Sequence, residues 1–193
     1  MLKNQQHRLW ILAGLSAIVC LGLDLWTKHW VWTELRPTNR SVEVIPPTLE
    51  LAFAFNRGTA FSVVRVVDHP MVFLPITLLV LGMAAVLALR SPGVDRLRVV
   101  ALGMVSGGAL GNLHDRLFRV DAGGNHGVVD FIQVNYPWGG SWPSFNIADT
   151  ALVIGVGMFV IHGLFLEKKE EPAPVGDAAP TTEPVAPTDS ASS

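Results

Sequence analysis

Four long stretches of apolar residues, separated by more polar segments, dominate the pattern of the chain. They run over residues 9–32, 71–89, 97–115 and 145–166. Each is close to the roughly 20 residues that an α-helix needs to cross the hydrocarbon core of a bilayer. The pattern therefore predicts an all-α membrane protein, built as a bundle of four transmembrane helices.

The two connections on one side of this bundle are long and contain short segments with a different pattern. Residues 42–45 and 49–55 flank a pair of prolines, and residues 128–134 form a further apolar segment. Short runs of β-branched and aromatic residues are typical of strands. We therefore predict a small β-hairpin or cradle that is built from the outer loops and lies on the membrane.

The distribution of basic residues predicts the orientation of the four spans. One side of a four-span chain collects Lys3, Arg8, Arg90, Arg96, Arg98, Lys168 and Lys169. Short cytoplasmic flanks are enriched in Lys and Arg, so both termini are predicted to be cytoplasmic. No small-residue cleavage site follows the first apolar run, which is expected to remain as a helix. Residues 1–167 form the membrane domain, and the Pro-, Ala- and Thr-rich residues 168–193 are expected to be a disordered cytoplasmic tail.

Composition agrees with a membrane protein and excludes several other classes. Half of the residues are hydrophobic, only 16% are charged, and the mean hydropathy is +0.40. A soluble domain usually has about 25% charged residues. The net charge of −2 gives no basic surface for nucleic acid, and the single cysteine, Cys20, excludes an internal disulfide.

Acidic residues in and near the apolar stretches carry the candidate chemistry. A helix rises about 1.5 Å per residue, so Asp24 and Asp115 lie roughly 22 and 24 Å along their helices, near the outer side. Asp149 lies about 6 Å below the outer start of the last helix. Asp130 and Asn56 reach the same side from the outer loops. Carboxylates at a membrane boundary are costly and usually functional, so we predict a paired-carboxylate site of Asp130 and Asp149.

Polar neighbours at helical spacing accompany these acids. Three groups share a helix face at i, i+3 or i, i+4 spacing: Asp24 with Lys28, Asn112 with Asp115 and Arg116, and Asn146 with Asp149. The charged pairs in this set can also be structural ties between helices, and that alternative stays open. The six histidines show no metal-ligand spacing, so no metal site is predicted.

Five sequence blocks together resemble the lipoprotein signal peptidases, also called signal peptidase II. The blocks are Asp24–Lys28, Phe55–Phe61, Gly107–Arg116, Gly127–Phe131 and Phe145–Asp149. They occur in the order typical of the family. A single block is a weak signal, whereas all five on a four-span chain are specific.

The resemblance implies an aspartic endopeptidase of the bacterial cytoplasmic membrane, with its active site near the outer face. Such enzymes remove signal peptides from prolipoproteins whose lipobox cysteine carries diacylglyceryl. The catalytic pair of the family corresponds to Asp130 and Asp149, and its supporting polar residues correspond to Asp24, Lys28, Asn56, Asn112, Asp115, Arg116 and Asn146. Gly58, beside Asn56, is expected to let the first outer loop approach the substrate.

The resemblance also bears on partners. It implies binding of globomycin-type cyclic peptides, and we expect a monomer that contacts membrane lipids and needs no cofactor. Three features depart from the family pattern. Thr59 replaces a small apolar residue, His114 replaces an aliphatic one, and the insert Leu117–His126 is longer than expected.

Two close carboxylates that share one proton can hydrolyse a peptide bond without a metal or a nucleophilic side chain. The ionised carboxylate takes a proton from water, while the protonated one polarises the scissile carbonyl. Two alternative functions are a proton-coupled transporter, in which the acids form a relay, and a scaffold that binds lipidated clients. The acids all lie near one face and the chain has no internal repeat, which disfavours the transporter.

Overall fold

The computed structural model describes residues 2–58, 73–90 and 95–166 of the chain. Its elements are α1 Leu2–Trp30, β1 Ser41–Ile45, β2 Leu49–Asn56, α2 Phe73–Arg90, α3 Arg96–Phe118, β3 Val128–Val134 and α4 Ile147–Ile161. Each of the four predicted spans overlaps one of these helices. The predicted tail after residue 167 and the family departure at Thr59 lie outside the described residues.

The first helix extends beyond its predicted span at both ends. Helix α1 begins at Leu2, seven residues before the predicted span, and continues through a π-helical turn, Val31–Leu35, and a short turn, Arg36–Thr38. The segments His7–Thr38 and Ile147–Phe165 are long and apolar enough to cross a membrane, whereas α2 has a shorter apolar run. Two of the described helices therefore meet the requirements for a transmembrane helix by length and hydropathy alone.

Helix α3 lies at the centre of the helices and contacts α1, α2 and α4. Its glycines allow this packing, as the sequence predicts for a glycine-rich span. A Cβ atom on Gly107 would lie 2.6 Å from the carbonyl oxygen of Ala17 on α1. A Cβ atom on Gly108 would lie 3.0 Å from Cγ of Leu152 on α4. The glycines thus let the backbones of α1 and α4 approach that of α3 closely, and larger residues at these positions would push the helices apart.

The three strands form one antiparallel sheet in the order β1-β2-β3, which confirms the predicted hairpin and the further strand. Ala54 pairs with Asp130 and Asn56 pairs with Val128. Because side chains alternate between the two faces of a strand, Asn56 and Asp130 lie on the same face. The opposite face carries an apolar cluster that packs on the C-terminal end of α1, formed by Val31, Leu35, Val129 and Phe131.

Candidate active site

Asp130 lies within β3 and is only 3% exposed. The side-chain amide of Asn146 donates to its Oδ1 at 2.7 Å, and that of Asn56 donates to its Oδ2 at 3.0 Å. Burial raises the pKa of Asp130 to about 6, and the nearby charge of Asp149 acts in the same direction against the two amide hydrogen bonds. The carboxyl group is therefore held in place by donors while its proton is bound more tightly than in water.

Asp149 lies in the first turn of α4, and Asn146 is the N-cap residue of that helix. The backbone N–H of Asp149 donates to Oδ1 of Asn146 at 2.9 Å, and the backbone N–H of Asn146 donates to Oδ2 of Asp149 at 3.2 Å. This reciprocal capping box fixes the Asp149 side chain at the helix end. The side chain of Asn112 donates to the other oxygen, Oδ1, at 2.7 Å.

The two predicted catalytic carboxylates thus meet at one network of asparagines. Each of their four oxygens accepts a hydrogen bond from an amide group, and Asn146 also donates to Oδ1 of Asn112 at 3.2 Å. Asn112 is 6% exposed and Asn146 is fully buried. Neutral donors therefore hold both carboxyl groups in place without adding a charge to the site.

Asp24 and Lys28 form the ion pair that their spacing predicts, with 2.7 Å between Oδ2 and Nζ, and neither side chain is exposed. Asp24 also accepts the backbone N–H of Ala148 at 2.9 Å, which joins α1 to the start of α4. Lys28 donates to Oδ1 of Asn112 at 2.9 Å. The Asp24–Lys28 ion pair therefore contacts the asparagine network through Lys28, and it does more than connect two helices.

Asp115 forms an ion pair with Arg119. Oδ1 of Asp115 lies 2.6 Å from Nε of Arg119, one helical turn further on, and Oδ2 lies 3.9 Å from Nζ of Lys28. Residues at i, i+4 share a helix face, whereas adjacent residues point in directions about 100° apart. Arg116 donates to the backbone carbonyl of Asn112 at 3.3 Å, and its charge interacts with Asp115 and with both candidate catalytic carboxylates.

The loop residues that sequence assigns to the site also contact it. Gly58 has a φ of 88°, which favours glycine, and its N–H donates to Oδ1 of Asn56 at 2.9 Å. This bond orients the Asn56 amide with its N–H groups towards Asp130. Gly58 therefore acts on the site through Asn56 in the structure.

The insert after α3 folds into a compact loop. Oδ1 of Asp121 accepts the backbone N–H groups of Gly123 and Asn125 at 2.8 and 2.9 Å, and these hydrogen bonds, with that from Asn125 the largest effect, lower the pKa of Asp121. Asp121 also forms an ion pair with Arg57, the residue after Asn56. The insert and the end of β2 are thus joined beside Asp130.

Two features of the structure were not predicted. Arg119 is one, although its i, i+4 spacing from Asp115 is visible in the sequence. The other is a cluster at the opposite end of the helices, where the buried Arg98 and the partly exposed Asp95 both contact the buried His162. This contact depends on the packing of α3 against α4, for which the sequence carries no local signal.

The surroundings of Asp149 include an apolar groove of about 430 Å³. Its lining includes Trp142, Phe145, Asp149, Val153 and Ile154. The position of Trp142 beside the site agrees with a tryptophan of the membrane-interface belt. Among the described residues, no group of three or more His, Cys, Asp or Glu side chains is arranged to hold a metal ion.

Two solved structures of bacterial membrane enzymes, determined by the in meso method, are similar to this chain. One, at 2.3 Å resolution, has a TM-score of 0.64 and 31% sequence identity, and the match covers 83% of this chain and 93% of that one. The other, at 1.9 Å resolution, has a TM-score of 0.66 and 31% identity, with coverage of 79% and 92%. The helices and the small antiparallel sheet thus define the fold of a membrane enzyme.

Sequence comparison identifies the family. The profile of the family described as Signal peptidase (SPase) II matches residues 16–165. The lipoprotein signal peptidase of Shouchella clausii is 35% identical over 160 residues, which are 83% of this chain and 97% of that protein. The lipoprotein signal peptidase of Xanthomonas campestris pv. campestris is 38% identical over 174 residues, with coverage of 88% and 96%. The chain belongs to the signal peptidase II family, which confirms the resemblance of the five sequence blocks.

Proposed function

We propose that this peptidase removes the signal peptide from prolipoproteins, with Asp130 and Asp149 as its catalytic pair. The observation that carries the proposal is the position of Asn146, which donates to Asp130 through its side chain and to Asp149 through its backbone. One buried residue therefore holds both carboxyl groups at a single site. The family of the chain provides the reaction, and these two carboxyl groups provide its acid and base.

The chemistry follows from the different surroundings of the two carboxyl groups. Asp130 is buried with a raised pKa of about 6, so it keeps a proton more readily and donates it towards the scissile carbonyl oxygen. Asp149, which is half-buried beside the groove, takes a proton from the attacking water. The tetrahedral intermediate then collapses as the proton held by Asp149 passes to the leaving amine and a hydroxyl of the intermediate returns a proton to Asp130, so that the pair is back in its starting state.

The supporting residues act on this pair through hydrogen bonds and charge. Asn56, Asn112 and Asn146 hold the four carboxylate oxygens, while Lys28 orients Asn112 and Gly58 orients Asn56. The charge of Arg116 stabilises whichever carboxylate is ionised. In this assignment Asp24 and Asp115 neutralise Lys28 and position the chain around it.

The proposal also concerns the location of the protein and its orientation in the membrane. The chain crosses the cytoplasmic membrane of a bacterium four times, with both termini in the cytoplasm and the catalytic pair near the outer face. Helix α3 has 23 residues, so its length of about 35 Å suits such a crossing. The groove beside Asp149 opens among apolar residues and receives the lipidated cysteine region of the substrate. Globomycin-type cyclic peptides compete for this groove, and the enzyme works as a monomer.

The test uses the purified protein in detergent with a prolipoprotein that carries diacylglyceryl on its lipobox cysteine. The readout is the mass of the product. Asp130→Asn and Asp149→Asn are each expected to abolish the mass shift while protein levels in the membrane stay normal. Asp121→Asn is the matched control, since that carboxylate lies in the same outer region but outside the pair, and it is expected to retain processing. Processing at the wild-type rate by either of the first two variants would contradict the catalytic pair.

The same experiment separates the alternative functions. A scaffold for lipidated clients binds the substrate without a mass shift. A transporter instead moves protons across proteoliposomes, and that flux depends on Asp130 and Asp149 in the absence of any prolipoprotein. If the wild-type protein gave either of these results and did not cleave the substrate, the peptidase proposal would be wrong.

A further inference from the structure

Arg119 lies directly after α3, outside the five sequence blocks, and holds one of the buried acids. Its Nε is 2.6 Å from Oδ1 of Asp115, and the Arg119 side chain is 12% exposed whereas that of Asp115 is fully buried. The guanidinium lies 5.2 Å from the centre of the Trp32 ring. The arginine is therefore fixed on two sides rather than extended into solvent.

The second oxygen of Asp115 controls the strand that carries the proposed acid. Oδ2 accepts the backbone N–H of Val129 at 3.0 Å, and Val129 is the residue before Asp130. On the other side of the same residue, the carbonyl of Val129 accepts the side chain of Asn146 at 3.4 Å. A shift of the Asp115 carboxylate would move the backbone of Val129 and, with it, the Cα and Cβ atoms of Asp130.

The charge of Asp115 also bears on Lys28. Nζ of Lys28 lies 2.7 Å from Asp24, 2.9 Å from Oδ1 of Asn112 and 3.9 Å from Asp115. An ammonium group has donors only, so Asn112 must turn its oxygen to Lys28 and its N–H groups to Asp149. With Arg119 present, the two cations and the two anions, Asp24 and Asp115, sum to zero.

We infer that Arg119 is a positioning residue for the catalytic pair. By pairing with Asp115 it keeps the Val129 N–H in place and leaves Lys28 free to orient Asn112 towards Asp149. Without it, Asp115 carries an unbalanced buried charge that draws Lys28 away from Asn112. The inference rests on the proposed catalytic roles of Asp130 and Asp149.

Removal of the Arg119 charge also changes the electrostatics of the pair. The charged and titratable groups that interact with Asp115, besides Arg119, are Asp24 and Lys28 from α1 and His114 and Arg116 from α3, and Arg116 interacts in turn with Asp130 from β3 and Asp149 from α4. The variant Arg119→Gln leaves this set one unit more negative. Ionisation of the pair becomes less favourable, so the profile of kcat against pH is expected to move to higher pH.

The experiment measures kcat and KM for a diacylated prolipoprotein from about pH 5 to pH 9, together with thermal stability in detergent. For Arg119→Gln we expect kcat to fall by roughly tenfold or more, KM to change little, and the profile to move to higher pH. Arg119→Lys keeps a cation at this position and is expected to recover most of kcat. Arg40→Gln removes an exposed arginine and serves as the charge-matched control.

A double variant distinguishes positioning from a loss of fold. The double variant combines Arg119→Gln with Asp115→Asn, so one cation and one anion are removed together and the net charge around Lys28 is restored. The amide oxygen at position 115 can still accept the Val129 N–H. The pH profile is expected to return to that of the wild type. If Arg119→Gln is too unstable to purify, the double variant and Arg119→Lys are measured alone, and a shifted profile in either contradicts the inference.

Two outcomes would overturn the positioning role. In one, Arg119→Gln behaves as Arg40→Gln in both kcat and pH profile. In the other, its loss of kcat follows its loss of thermal stability while the pH profile stays unchanged. Neither outcome affects the catalytic pair, because the Asp130→Asn and Asp149→Asn variants test that assignment separately.

Discussion

The side-chain amide of Asn146 lies 2.7 Å from Oδ1 of Asp130, across the junction between α4 and β3. Asn146 is also the N-cap of α4, and its capping box includes Asp149. The separation of the two carboxyl groups is therefore set by a helix cap that docks against a strand. Rigid elements, rather than a loop, define the geometry of the proposed catalytic pair.

Loss of the amide at Asn56 is expected to slow catalysis without much effect on substrate binding. Asn56 donates to Oδ2 of Asp130 at 3.0 Å, so Asn56→Ala removes a donor that orients the carboxyl group. We expect kcat to fall by roughly 10- to 100-fold, with KM within a factor of three, in steady-state processing assays. Gln133→Ala removes an amide from the same sheet that contacts Glu50 instead, and it should retain activity. Equal kcat values for both variants would contradict the role of Asn56.

The raised pKa of Asp130 predicts a cost in stability at neutral pH. The folded protein holds this proton up to about pH 6, whereas an ordinary aspartate has a pKa of 3.8. The contribution of Asp130 to stability is thus fully present below about pH 4 and is lost as the pH rises through 6, by about 3 kcal/mol. Asp130→Asn cannot ionise, so its Tm should depend less on pH between 4 and 8 than that of the wild type.

Asp121 provides a control of opposite sign for this measurement. Hydrogen bonds from Asn125 and Gly123 lower its pKa, so its stabilising contribution is present at neutral pH and lost on acidification. Asp121→Asn should therefore reduce Tm at neutral pH more than at low pH. A Tm profile of Asp130→Asn that falls with pH as steeply as the wild type would show that Asp130 is not buried in this way.

Gly127 allows β2 and β3 to approach beside the proposed acid. A Cβ atom at this position would lie 2.7 Å from Cε1 of Phe55 and 2.9 Å from the carbonyl oxygen of Asn56. Gly127→Ala is expected to lower stability by roughly 1–3 kcal/mol and to reduce kcat, because Asn56 and Asp130 must move apart. Gly157→Ala is the control, since its Cβ would meet no atom within 4 Å. Thermal unfolding in detergent that is equal for the two variants would contradict this packing.

The cluster at the opposite end of the helices should affect stability but not catalysis. Nδ1 of His162 accepts hydrogen bonds from Nε and Nη2 of Arg98 at 3.0 and 2.9 Å, and both residues are buried. Arg98 and Asp115 are 17 residues apart on α3, which corresponds to about 26 Å. His162→Ala should lower stability by roughly 1–3 kcal/mol in thermal unfolding, while kcat at 25 °C remains that of the wild type. A large loss of kcat in a folded variant would indicate coupling along α3.

Chelation is expected to leave processing unchanged. The four oxygens of Asp130 and Asp149 accept hydrogen bonds from amide N–H groups. An N–H group that donates to a carboxylate is not itself a metal ligand. Incubation with EDTA, followed by the same mass assay, should give the wild-type rate. Inhibition that added Mg²⁺ or Zn²⁺ reverses would contradict a mechanism based on the two carboxyl groups alone.

Periodicity in the sequence predicts the parts of the site that depend on local geometry. The i, i+4 pair of Asp24 and Lys28 and the shared face of Asn146 and Asp149 both form as predicted. The strand at 128–134 is also correct, because alternation of side chains in a short apolar run is a local property. These elements bring Asp130 and Asp149 to the same region.

Contacts between distant segments could not be derived in the same way. The pairing of Asp115 with Arg119 depends on where β3 lies relative to α3, since the Val129 N–H occupies the other oxygen of Asp115. The orientation of the Asn112 amide likewise depends on Lys28, 84 residues away. Such choices are made by packing, and a single sequence does not contain the distances that decide them.

The hydrogen bond from the Ala148 N–H to Asp24 joins residues 124 positions apart, and it has a consequence for the synthesis of the enzyme. The ribosome releases the segment that carries Asp24 long before the one that carries Asp149. On the proposed assignment, the newly made chain has no complete catalytic pair until its last helix packs against the first. Proteolytic activity would then require the last helix to be in place.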